Sequence, residues 1–167
     1  MAYTEKNVFG EIVLINLIRL AFAAVCVCFA FPMFKTTVTY FGIDVLQSEQ
    51  TLTGFNTIFG IVGSSAAGHP FALVMFVFPI IAIMVTLTDF LYNYLHIAIL
   101  ITGIAGAILS VVFYIATLVK LNGKEQFFNF TLYEVRTGLS WGCLLILGLY
   151  VAIIVFSFLY GKVAKED

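Results

Sequence analysis

Charge is scarce in this chain. Asp, Glu, Lys and Arg make up 10% of the 167 residues, and eight basic against nine acidic side chains leave a net charge of −1. A soluble domain is about a quarter charged, so a water-exposed globule is excluded. A nucleic-acid partner is excluded as well, because no basic field exists to meet phosphates. Cysteine is equally sparse, at three residues: Cys26, Cys28 and Cys143. All three lie inside apolar runs, so no disulfide can brace the links between those runs. Cys26 and Cys28 lack the second pair or nearby His that a metal site needs. On a helix they point about 200° apart, and they read as small buried hydrophobes. No HExxH, P-loop, Ser-His-Asp set or pair of membrane carboxylates is present. The sequence therefore predicts no catalytic residue, cofactor or metal, and no enzyme.

What is present is apolar. Hydrophobic residues reach 62%, with 18 Phe and eight Tyr, and the mean hydropathy is +1.10. A membrane span needs about 20 mostly apolar residues. Four segments qualify, at about 12–34, 71–90, 95–119 and 139–160. Together they occupy about half the length, which leaves one polytopic domain over 1–167. The first is not read as a cleaved signal peptide. Glu11 and Arg19 are misplaced for one, and "FPMFK" lacks the small-x-small pattern.

Spans two and three are joined only by "LYNY", so they form a tight antiparallel hairpin. An even number of spans puts both termini on the side of that short link, with the long links, 35–70 and 120–138, opposite. Lys6, Lys162, Lys165 and Arg19 on one side balance Lys35, Lys120, Lys124 and Arg136 on the other, so the positive-inside rule does not choose. A short N-terminal tail without a signal favours cytoplasmic termini and a plasma-membrane location. A glycosylation sequon at 129–131 (Asn-Phe-Thr) adds little to this.

The long links carry strand patterns. Val38 and Tyr40 alternate with Thr37 and Thr39, then Gly42 and Asp44 supply a turn. "TLTGFNTIF" at 51–59 alternates again. In the last link, Phe128, Phe130 and Leu132 alternate with Asn129, Thr131 and Tyr133. Three strands on one side of a membrane can pair, and open sheet edges cannot sit in hydrocarbon. The expected fold is thus an all-α membrane bundle of four spans under a small β-sheet cap. Val38, Tyr40, Phe128, Phe130 and Leu132 are its expected core.

Four spans with a large β-rich first loop and a shorter β-contributing last loop resemble the claudin layout. The passage "VTYFGIDV…LTGF" also resembles small uncharacterised four-span proteins of bacteria. The resemblance implies a structural or pore-lining role. The claudin Trp…Gly-Leu-Trp-Cys-Cys signature is absent, and the first loop has neither Trp nor Cys. No claudin functional residue is carried over.

Arg19 lies well inside the first run, where a charge snorkels, pairs or serves a path. Asp89 near the end of span two is its expected partner, with Glu11 as another. His96 and His69 fall at opposite faces and cannot jointly hold one haem. Gly103 and Ala107, and Gly106 and Ser110, are spaced for close helix packing within or between chains. Pro79 predicts a kink in span two, and Trp141 an aromatic belt residue. The leading expectation is a non-enzymatic scaffold that assembles with itself, or an accessory subunit of a larger membrane complex. A small oligomeric channel or transporter comes next, then a membrane anchor for a redox complex.

Overall fold

Pro32 divides the first apolar run in two. In the computed structural model, α1 (Ala2–Cys28) stops short of it, and β1 (Pro32–Tyr40) begins on it. The structure describes the backbone of residues 2–41, 47–59, 70–88, 94–127 and 130–163, and the side chains of 9–41, 47–59, 70–88, 94–122 and 132–163. The remaining elements are β2 (Gln47–Thr53), α2 (Gly54–Phe59), α3 (Pro70–Leu87), α4 (Leu95–Leu121), β3 (Gly123–Phe127), β4 (Phe130–Leu139) and α5 (Trp141–Val163). Phe9–Cys28 within α1, together with α3, α4 and α5, are long and apolar enough to cross a membrane. The first span is thus shorter than 12–34 and the last starts after 139. Met33, Phe34 and Leu139 are apolar because they form strand ends at the bundle, not because they continue a helix.

The four long helices close a ring in which α1 packs on α5, α5 on α4, α4 on α3 and α3 on α1. Their buried faces form one core, from Ile18, Phe22 and Val25 through Ile99 and Phe113 to Ile146, Tyr150 and Ile153. Gly10 lies against Val163 and Gly161 against His96, whereas Gly142 lies against Pro32. The start of α1, the start of α4 and the end of α5 therefore share one end of the bundle, and the sheet stands at the other.

The sheet has four antiparallel strands in the order β2-β1-β4-β3. The central pairing, β1 with β4, joins the two long links. β1 prolongs α1 outward and β4 leads into α5, so the strands pair because the helices they extend are already neighbours. Three expectations change here. Residues 54–59 are a helix, not a strand. The Thr53 hydroxyl accepts from the Asn56 N–H at 3.2 Å, an N-cap that starts α2. A fourth strand, β3, pairs with β4.

The expected cap core is the third correction. Val38 lies opposite Val135 and Tyr40 opposite Tyr133. Leu132 has no cross-strand partner in β3: it falls at the irregularity between Thr131, opposite Gln126, and Tyr133, opposite Glu125. Tyr40 is exposed and Val38 only half-buried. Phe128 and the side chain of Phe130 fall outside the described residues. The buried part of the sheet is its base, where Met33, Phe34 and Leu52 join the bundle core. Along 47–51, β2 is exposed on both faces. The sheet is rooted at one end rather than laid flat over the bundle.

Candidate functional site

The one charged side chain deep in α1 is Arg19. Gly10 is level with Val163 at the end of α5. Nine residues at about 1.5 Å each put Arg19 roughly 13 Å further in. The Cα–Cβ bond of a helical residue tilts toward the N-terminus, and the guanidinium follows it. Nη1 donates to Asn16 Oδ1 at 3.4 Å. Nε donates to the Thr86 hydroxyl at 3.2 Å, and Nη2 to the Thr86 carbonyl at 2.5 Å. The Thr86 hydroxyl in turn donates to the Ile83 carbonyl at 2.7 Å.

Thr86 sits in the last turn of α3, where backbone carbonyls have no partner within the helix. A cation there also complements the negative end of the helix dipole. Arg19 is therefore a C-cap for α3 supplied by α1. Neither ion pair among the described residues, Lys35–Glu49 or Glu134–Arg136, includes it. The expected partner Asp89 lies outside the described residues, and Thr86 went unread because a Thr in an apolar run carries little signal.

Arg19→Leu is expected to loosen the end of α3 by about 1.5–3 kcal/mol, the worth of hydrogen bonds from a charged donor. Thr86→Val keeps the carbonyl and should cost less. The double mutant should show about 0.5–3 kcal/mol of coupling. Thermal unfolding in mild detergent reads this cycle, and strictly additive losses would show that no clasp operates.

A stripe of small residues on α4 meets α5. Gly103, Gly106 and Ser110 are buried, and Ala107 at the flank is half-buried. A Cβ on Gly106 would lie 2.1 Å from the Tyr150 ring, and one on Gly103 would lie 3.1 Å from Ile154. The close approach that the spacing predicted is thus made within one chain. Ser110 donates to the Gly106 carbonyl at 2.7 Å, and Ser157 of α5 to the His96 carbonyl of α4 at 2.8 Å. Among the described residues, the hydroxyls of Tyr150 and Thr117 are buried without a hydrogen-bond partner.

The root of the sheet is fastened by the same means. The Ser140 N–H donates to the Met33 carbonyl at 2.8 Å, and the Cys143 thiol donates to that same carbonyl at 3.0 Å. The Tyr114 hydroxyl donates to the Cys143 carbonyl at 3.1 Å. The Phe55 N–H donates to the Phe29 carbonyl at 3.2 Å, tying α2 to the end of α1. Trp141 stacks on Phe31 with ring centres 4.8 Å apart, and both side chains are exposed at that edge of the bundle. Sequence reasoning placed Cys143 in an apolar run but missed its bond to Met33, and missed Tyr114, because neither stands out there as a fastening group.

His96 opens α4 at the opposite end, half-buried, in a groove shared with Lys162 of α5. His69 lies outside the described residues. Among the described residues no group of three His, Cys, Asp or Glu comes together. The polar side chains of the bundle mostly bond to backbone carbonyls of their own or a neighbouring helix, which is chemistry suited to holding helices. No protein-family model matches this chain, and no curated protein is similar enough to count as a relative.

Proposed function

We propose that this integral membrane protein is a non-enzymatic scaffold that assembles with its own copies, or serves as an accessory subunit of a larger membrane complex. Its termini face the cytoplasm and its sheet faces outward at the cell surface. The observation that carries this reading is the rooted sheet, whose outer strands β2 and β3 pair on one side only among the described residues. Helix packing fixes β1 and β4, and β2 and β3 stand at the margins. An edge strand offers unpaired backbone groups to another chain. On β2, Ser48, Glu49, Gln50 and Thr51 are all exposed, a polar strand suited to pairing with a partner rather than aggregation. The claudin-like layout implies a structural or pore-lining role, and the first of these agrees with this reading. A pore within one chain is less favoured, because Ser110, Ser157 and Tyr114 spend their hydroxyls on backbone carbonyls.

The test uses Gln50→Cys. In intact cells a membrane-impermeant maleimide should label this position from outside, and a bifunctional one should join it to a second copy or to a co-purifying partner. Protection from outside would reverse the orientation. A protein that is monomeric in mild detergent, without partner or cross-link, would overturn the assembly reading.

A further inference from the structure

At the end of the bundle away from the sheet, α4 and α5 flank a groove of about 340 Å³. Its walls are apolar, with Leu100 from α4 and Phe158 from α5, and Phe158 is 60% exposed. Gly161 lets the His96 ring lie against α5, since a Cβ there would stand 3.1 Å from the imidazole. Lys162 closes the outer end, in the last turn of α5, with its side chain exposed. Among the described residues no acidic side chain lines the groove, and Lys162 is its one full cation.

An apolar groove between two spans with a lysine at the span end suits one occupant. A lysine at a span end snorkels to the headgroup level and attracts anionic lipid. We propose that this groove holds one anionic phospholipid of the termini-side leaflet. The lipid phosphate sits on Lys162 beside His96, and one acyl chain lies along Leu100 and Phe158. A zwitterionic lipid would bring its own cation to Lys162 and lose that preference. The site does not depend on the assembly reading, because each chain holds it whole.

The test is native mass spectrometry of the purified protein, exchanged into equal amounts of phosphatidylglycerol and phosphatidylcholine. Wild type is expected to keep one phosphatidylglycerol per chain under activation that strips phosphatidylcholine. Lys162→Gln should lower that retention roughly fivefold, the effect of about 1 kcal/mol per basic residue at an anionic surface. Lys162→Arg should keep it. Leu100→Trp should lose the lipid with the charge intact, because the ring fills the trough. Inorganic phosphate should not displace the lipid. Circular dichroism checks that each variant keeps its helices, and Lys162 is exposed enough that its replacement leaves the fold alone. Equal retention of both lipids by wild type would overturn the proposal, as would undiminished retention in Lys162→Gln. Displacement by inorganic phosphate would make this a plain anion site instead.

Discussion

Phe34→Ala is expected to unseat the sheet from the bundle, at a cost of about 3–5 kcal/mol, as for other large aromatic truncations in a core. Phe34 is fully buried. It stands edge-on to Phe113 at 5.9 Å and to Tyr114 at 6.2 Å. It is also the position where β1 meets both neighbours, opposite Leu52 of β2 and Leu139 of β4. Shrinking it removes apolar contact to α4 and opens a cavity under three strands at once. Tyr114 would lose the ring that holds it toward the Cys143 carbonyl. The four spans should stay inserted, since none of their lipid-facing surface changes. Cys143, fully buried in the native protein, is a built-in reporter. It should resist thiol labelling in wild type and react in the variant, and protease added on the sheet side should cut 32–53 only in the variant. An unreactive Cys143 with an intact sheet would show that β1 is not rooted through Phe34.

Gly106→Ala should be the most damaging single methyl in the bundle. The added Cβ would lie 2.1, 2.5 and 2.7 Å from three atoms of the Tyr150 ring. That ring cannot move aside easily. It is fully buried and packs edge-on against Phe22 of α1 at 6.4 Å, so displacing it pushes three helices apart. Overpacking of this kind costs about 1–3 kcal/mol and sometimes more. Gly103→Ala should cost much less. Its nearest neighbours, at 3.1 and 3.2 Å, are the methyl-bearing arms of Ile154 and Ile153, and these can give way. Tyr150→Phe should be close to neutral or stabilising, because the hydroxyl it removes has no partner among the described residues. Thermal unfolding in detergent ranks the three. If Gly103→Ala proved the worse of the two glycine variants, the α4–α5 contact would have a different register.

Much of this architecture is written in the composition and spacing of the chain. Four runs of about 20 apolar residues with almost no charge have no other stable form than spans, because backbone groups in hydrocarbon must bond within their own helix. The four-residue link between the second and third runs, with an even span count, then places both long links on one side. Alternation in 36–40 and around 130–133 marks strands, and the lack of cysteine in those links means that pairing and packing must hold them. The small-residue spacing on α4 likewise announces close helix contact at Gly103, Gly106 and Ser110.

Other features depended on distances between residues far apart in the chain. The period of a strand tells which residues share a face within it, but not how the face of one strand lines up with that of the next. Register put Val38 opposite Val135 and Tyr40 opposite Tyr133 and left Leu132 at an irregularity, and it was set by the helices that β1 and β4 extend. Residues 51–59 alternate like a strand, yet the Thr53 cap and the packing of Gly54 against Phe29 turned their second half into a helix. Arg19 was visible as a charge out of place. That its donors reach the last turn of α3 depended on α1 and α3 lying side by side, with an open helix end at the right depth. Local preference is short-ranged and legible one segment at a time. Which orphan carbonyl a side chain satisfies, and which strand lies beside which, is decided only when the helices pack and bring distant ends together.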